Sequence, residues 1–501
     1  MNRKKVRAWL QDVWTLAIVG AQWGDEAKGK LIDVFSLLVG DCDARGTGGA
    51  NAGHTVVVGA NEYKFSQLPA GMLHDQKGVI TISGGGMVID PRRLIQELDG
   101  LDQEGLTHRH FHLSHRASLI LPQHLLLDML REKQSGAGKI GTTNRGIGPA
   151  YTDRTGRIGL VVNDLLNPDI FRSKLERNLR EKTLLLARWD REDLLTVMEK
   201  SGVLGAFYDP ERGFDVNQIV STYLEYGQVL SPYIMDTDRL MRAVVGKKRL
   251  LLEGAQAIHL GIDTGSIPFV TSSDSTVHGL AKGVGLRERD VDLTVLVAKL
   301  IMTRVGGGPF PTEFGGSLSE DYCNNGRNTP ETEAKRYPNP DVNCADELEQ
   351  GIAFRQLGRE FGTVSGRLRR TGWLDLVLLK DAIRHSRPCV LALTKVDRLD
   401  TCRKIKLCVG YTYTGPDTRI GETKLTSGDE LAEAFLEAEI LSYCRPIYRE
   451  LDGWCSPSNV GDSNSLPSRL KDLIKFVEEF TGTEVKILSV GPDRDQTILL
   501  D

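Results

Sequence analysis

Short apolar, β-branched runs recur along this chain and alternate with longer stretches in which apolar residues return at helical spacing. The strand-like runs are Thr15 to Val19, Val79 to Ser83, Ser118 to Leu121, Arg249 to Leu252, Leu293 to Leu300 and Pro388 to Leu393. Continuous apolar runs of this kind belong to strands buried on both faces. With helical patterns between them, they predict an α/β fold: a large, mostly parallel central β-sheet flanked by helices. Two regions break the alternation. Residues 162–245 mix dense charge with leucines, as in Lys174 to Lys182 and Arg188 to Lys200, and predict a helical subdomain. Residues 314–360 contain Asn324-Asn325-Gly326, Pro338-Asn339-Pro340 and many acids, and predict an inserted surface excursion that could be a lid, a partner surface or decoration. Both are expected to sit inside a single domain spanning 1–501. No internal repeat is visible.

Composition narrows the class. With 501 residues, 40% of them apolar and 26% charged, the chain can bury a large core. A net charge of −4 gives no general attraction to nucleic acid or to a membrane surface, so any anionic ligand must be held by local clusters. Eight cysteines (Cys42, Cys323, Cys344, Cys389, Cys402, Cys408, Cys444, Cys455) show no Cys-x-x-Cys pair and no metal spacing. They read as reduced thiols of a cytoplasmic protein. The stretch Met1 to Trp14 imitates a signal peptide, but the apolar run after it leads straight into charged residues and reads as a core strand.

Those charged residues are the most telling chemistry. Gly24-Asp25-Glu26-Ala27-Lys28-Gly29-Lys30 spells a phosphate-cradling loop between a strand and the helix-like Leu31 to Phe35, but Leu31 stands where a Walker loop has its metal-binding Ser or Thr. Asp25, a carboxylate inside the loop, is the natural substitute as an Mg²⁺ ligand. A second glycine-rich turn, Gly46 to Thr55, ends on His54 at the start of the strand Val56 to Val58, where an imidazole can give or take a proton. Gly141 to Pro149 supplies hydroxyls, an amide and Arg145 in a turn-rich segment. Arg367-Leu368-Arg369-Arg370 concentrates guanidinium groups beside Gly362 and Gly366 and suits carboxylate or phosphate. Thr394-Lys395-Val396-Asp397 follows a strand and resembles the base-reading motif of guanine-nucleotide proteins, where an Asp accepts hydrogen bonds from guanine N1–H and its amine. GTP is therefore the implied donor.

Taken in order, these segments resemble the adenylosuccinate synthetase family. The likeness also runs through Glu253 to Gln256, Val270 to Ser273, Thr303-Arg304-Val305, Gly308 to Glu313, Gly366 to Asp375 and Gly491 to Arg494, and so spans nearly the whole chain. It implies a GTP-dependent, C–N bond-forming ligase that condenses IMP with L-aspartate through a 6-phosphoryl intermediate, in the cytoplasm and as a homodimer. It implies catalytic roles for Asp25, His54, Lys30 and Gln256. GTP would be met by Gly24, Glu26, Lys28, Gly29, Lys30, Gly53, His54, Thr55, Arg369, Lys395, Asp397, Ser489 and Gly491. IMP would be met by Asp25, Asn51, Thr143, Gln256, Thr271, Arg367 and, from the neighbouring subunit, Arg157. Thr363, Val364, Ser365, Arg367 and Arg369 would hold the amino acid, and Asp25 with the Gly53 carbonyl would bind Mg²⁺.

Some positions depart from the family's pattern. Val364 and Ser365 stand where two threonines usually meet the amino acid, Ala50 replaces a His, Ala27 and Asn144 replace glycines, and Ala257-Ile258 stand where Gly-Thr is expected. A valine side chain cannot hydrogen-bond a carboxylate. Two further readings therefore stay open: a paralogue that uses another amino acid or purine nucleotide, and a nucleotide-binding regulator without catalysis.

Overall fold

The first strand shows why the chain folds as it does. Thr15–Gly20 is buried at every position, and its side chains alternate between two cores. Leu16 and Ile18 pack on one face with Leu251, Val295 and Val297; Ala17 and Val19 pack on the other with Leu250, Leu252, Leu296 and Ala298. A strand with two apolar faces is stable only when both are covered, which needs helices on each side. Burying one such aliphatic side chain contributes about 1.5–3 kcal/mol. The computed structural model describes residues 1, 3–59, 61–134, 140–362, 366–454 and 463–501.

The central sheet has ten strands, numbered here in chain order: β1 Thr15–Gly20, β2 Cys42–Arg45, β3 Ile80–Ser83, β4 Phe111–Ser114, β5 Ile234–Met235, β6 Leu250–Glu253, β7 Leu293–Lys299, β8 Cys389–Thr394, β9 Val485–Ser489 and β10 Thr497–Leu499. Their order across the sheet is 5-4-3-2-6-1-7-8-9-10. Every neighbouring pair is parallel except β9 with β10. The expected α/β architecture is therefore present. One expected strand lies elsewhere: Ser118–Leu119 pairs with Val88–Ile89 in a separate two-stranded ribbon.

Between residues 162 and 245 the main elements are the helices Pro168–Leu186, Arg191–Ser201, Val216–Leu230 and Thr237–Val244, and Ile234–Met235 leaves them to form the sheet edge. Residues 314–360 hold three short helices, Gly316–Asn324, Pro330–Arg336 and Glu347–Gly358. Thr329 and Asp346 cap the second and third, accepting hydrogen bonds from the backbone N–H of Thr332 and Glu349. Such brief, turn-interrupted helices leave little periodicity to read. They are anchored from inside: Arg355, fully buried, meets Glu333 at 2.8 Å, and Phe354 stacks on Phe314 with ring centroids 5.3 Å apart. Among the described residues the cysteines are free thiols, and no helix is long and apolar enough to cross a membrane.

Candidate functional site

The segments singled out from sequence converge because most of them follow the carboxyl ends of neighbouring parallel strands, where open α/β sheets bind ligands. The glycine loop follows β1, the Gly46–His54 turn follows β2, Gln256 follows β6, Lys395 and Asp397 follow β8, and Gly491 follows β9.

The glycine loop is tightly wound. Gly24, Asp25 and Ala27 have φ of 92°, 61° and 67°, and left-handed non-glycine residues of this kind cluster at functional sites. Glu26 holds the wind. Its carboxylate is fully buried, accepting from the Gly24 N–H at 2.8 Å and the Gln22 N–H at 3.3 Å, and pairing with Lys28 at 2.7 Å. The side chain of Glu26, a residue expected at GTP, points inward and braces the loop.

Lys30 is held by the turn after β9. Its ammonium donates to Ser489 Oγ at 2.9 Å, the Gly491 carbonyl at 2.7 Å and the Gln496 carbonyl at 2.9 Å. An ammonium has three donors, and all three reach the turn after β9. Burial draws its pKa down to about 7, against the pull of Asp397, Asp493 and Asp495. Arg494, in the same turn, meets Asp33 on the loop's helix at 2.8 Å.

At the mouth of the loop, Asp25 pairs with Arg369, 2.8 Å from Oδ2 to Nε, while its carboxylate stays about a third exposed at 31%. Behind Arg369 lies Glu360, 2.7 Å from its Nη1, 3.2 Å from Lys395 Nζ and 3.6 Å from Lys299 Nζ. Burial pushes the Glu360 carboxyl up, but Lys299, Lys395 and Arg369 outweigh it and hold it well below the usual carboxylate range. Burial takes Lys299 down to about 8, with Glu360 opposing.

His54 faces the loop from the second turn. A Cβ on Gly29 would meet His54 Cβ at 3.1 Å, a tight contact, so a glycine here lets the loop and the imidazole lie close without displacing either. His54 Nδ1 is hydrogen-bonded to Glu253 at the end of β6, and the other Glu253 oxygen accepts from the Ala70 N–H at 2.7 Å. This fixes the ring and leaves Nε2 for a ligand. Burial pushes the imidazole pKa down, opposed by Glu253.

Several of the residues expected at the purine nucleotide touch one another or one another's turns. Asn51 Nδ2 donates to Thr271 Oγ1 at 3.3 Å, and the Gly48 turn packs against Gln256, itself left-handed at φ 53° with a buried Oε1 that has no protein partner. Arg367 donates to the Gly141 carbonyl at 3.1 Å and the Thr142 carbonyl at 2.6 Å, next to Thr143. Arg157 stands apart: it is exposed, at φ 61°, just past the helix Ile147–Thr155. The base-reading motif docks on the glycine loop, with Thr394 Oγ1 donating to the Glu26 carbonyl at 3.0 Å. Burial pushes the Asp397 carboxyl up. Thr363, Val364 and Ser365 lie outside the described residues.

Residues 17–498 match the family model for adenylosuccinate synthetase. The chain belongs to the adenylosuccinate synthetase family. A synthetase of that name from Geobacillus kaustophilus is 38% identical over 485 residues, covering 96% of this chain and 98% of the relative. One from Clostridium beijerinckii is 38% identical over 488 residues, covering 97% and 98%. The fully ligated adenylosuccinate synthetase from Plasmodium falciparum superposes with a TM-score of 0.77 at 30% identity, covering 97% of this chain and 99% of that one. Membership makes the chain a ligase of purine nucleotide synthesis that condenses IMP with L-aspartate using GTP.

Two residues of the site, Glu360 and Lys299 behind Arg369, were not singled out in the sequence, and Glu253 stood out there only as part of the segment Glu253 to Gln256, not as the partner of His54. Glu253 and Lys299 end apolar strands, and a charged residue in that place is a usable signal. Glu360, past a short helix in an irregular segment, gives none.

Proposed function

We propose that Asp25 is the base of this synthetase, taking the N1 proton of IMP so that O6 becomes nucleophilic, and that His54 is its electrostatic and acid partner at the GTP phosphates. The pairing of a partly exposed carboxylate with a buried, oriented imidazole across one glycine loop carries this reading. O6 attacks the γ-phosphorus, GDP leaves, and the amine of L-aspartate then displaces phosphate from C6. Phosphoryl transfer needs concentrated positive charge more than covalent help. Lys28, paired with Glu26 at 2.7 Å, brings positive charge into the loop, while Lys30 holds the Ser489–Gly491 turn against the loop.

Mg²⁺ fits the donors present, since it prefers oxygen and is commonly held by one or two carboxylates together with phosphates. Asp25 and the Gly53 carbonyl would hold it. When bound, it neutralises charge on the transferring phosphate.

Asp397 reads guanine beside Lys395, Ser489 and Gly491. Gln256, Asn51, Thr143, Thr271 and Arg367 bind IMP, and the unpartnered Gln256 Oε1 supports a ligand contact there. Thr363, Val364, Ser365 and Arg369 receive the amino acid. The exposed Arg157 reaches a neighbouring subunit's IMP in a homodimer, and the enzyme works in the cytoplasm.

The test is turnover by the purified protein with IMP, GTP, Mg²⁺ and a panel of amino acids, reading phosphate release and the nucleotide product. Adenylosuccinate made only when all components are present is expected. Product from another amino acid or purine, with none from aspartate and IMP, refutes the substrate assignment.

A further inference from the structure

Glu360 belongs to none of the glycine, imidazole or base-reading segments, yet cations from three separate parts of the chain, Lys299, Arg369 and Lys395, enclose it. Its Oε2 lies 2.7 Å from Arg369 Nη1 and 3.6 Å from Lys299 Nζ, and its Oε1 lies 3.2 Å from Lys395 Nζ. We propose that Glu360 is a positioning residue for the ligation, aiming Arg369 at the amino-acid carboxylate and Lys395 at the guanine nucleotide before either substrate arrives. The proposal rests on the roles given above to Arg369 and Lys395, and adds the group that keeps both in place.

The grip is not confined to one side chain. The Arg369 N–H donates to the Glu360 carbonyl at 3.1 Å, and Arg355 Nη1 donates to the Arg369 carbonyl at 2.8 Å. Lys395 Nζ donates to the Gly358 carbonyl at 3.0 Å. Residues 355–360 therefore hold Arg369 by its main chain and its guanidinium, and Lys395 by its ammonium. The 314–360 excursion thus supports the site, because its last helix, Glu347–Gly358, carries Arg355 and ends two residues before Glu360.

The second reason is the other partner of Arg369. Arg369 also meets Asp25, and a carboxylate that turns toward a purine N–H leaves that guanidinium. Glu360 then still holds Arg369, so the guanidinium stays aimed instead of sampling its many rotamers. Holding a flexible side chain in its working geometry lowers the cost of binding. A buried carboxylate that merely neutralised charge would affect folding but would not choose between substrates.

The experiment is Glu360→Gln in the full chain, with KM measured separately for L-aspartate, GTP and IMP, and folding followed by circular dichroism and thermal melting. KM for aspartate and for GTP is expected to rise by about tenfold or more, as for a lost charge-assisted contact, while KM for IMP stays within about twofold. Glu360→Asp keeps the charge one methylene back and is expected to recover part of both increases. Unchanged KM values for all three substrates, or equal increases that follow a loss of folded protein, overturn the proposal. If the Gln variant does not fold, the Asp variant decides by the same split. A wild-type protein that makes no adenylosuccinate counts against the reaction, not against Glu360, whose effect is then read from the dissociation constant of GTP by calorimetry.

Discussion

Asp25 and Arg369 form an ion pair, 2.8 Å from Oδ2 to Nε, that closes the glycine loop onto the arginine segment. The group with the geometry of a base is thus paired with a cation that a nucleotide must displace. General-base catalysis contributes typically about 10²- to 10⁴-fold. Asp25→Asn should reduce kcat by that order while IMP still binds, measured by steady-state turnover and by calorimetry. Turnover at the wild-type rate would remove Asp25 from the mechanism.

Glu253 orients His54 through Nδ1 and is itself held by the Ala70 N–H. Glu253→Gln keeps the shape but loses the charge that favours an N–H on Nδ1. Turnover should fall by at least about tenfold, since misaligned acid–base groups forfeit part of their contribution. The fall should appear in kcat, with KM for IMP little changed. An effect on KM alone would mean that Glu253 shapes the pocket without directing the imidazole.

Asp397 gives a specificity test. Its carboxylate matches the N1–H and amine of guanine, whereas xanthine carries an oxygen in place of that amine. Asp397→Asn should weaken GTP by about 1.5–3 kcal/mol, roughly tenfold to a hundredfold. Competition assays should then show xanthosine triphosphate gaining on GTP as donor. No change in preference would place the base elsewhere.

Lys30 predicts a pH dependence. With its pKa drawn by burial to about 7, it is charged below that value and neutral above it. A cation favours the polyanionic nucleotide, so kcat/KM for GTP should fall as pH rises through about 7. Lys30→Arg should carry that limb out of range because guanidinium stays charged, and Lys30→Met should abolish it. A limb that persists unchanged in the Met variant would assign it to another group.

Gly46, which opens the turn leading to His54, crosses Gly283 and Gly86 so closely that a Cβ on any of the three would overlap backbone. Nothing flexible can move aside. Gly46→Ala should cost about 1–3 kcal/mol and lower the thermal midpoint, as overpacking does elsewhere. A full-stability Ala variant would show that the crossing can open.

The α/β layering was legible in the sequence because β1, β6, β7 and β8 are short, apolar and free of charge except at their ends, a pattern set by local burial on two faces. The glycine loop was legible for a related reason, since close backbone approach restricts residue types at fixed spacings, and the Thr394–Asp397 segment lies against it after β8. Ser118–Leu119 was misplaced because a four-residue run, three of its residues apolar, carries no information about which sheet it joins. The helices of 314–360 were missed because capped helices this short show little periodicity.

The sequence by itself determined the strand–loop–helix order and the chemical inventory of the site, since both follow from near-neighbour patterns. Only the tertiary structure decided how those groups are shared out. Glu26 turns inward, Lys30 serves the Ser489–Gly491 turn, Arg369 covers Asp25, and Glu360 gathers three cations from distant segments. The physical reason is that a buried charge is stable only beside an opposite one, and which partner is within reach depends on how the strands are ordered across the sheet, information no short stretch of chain contains.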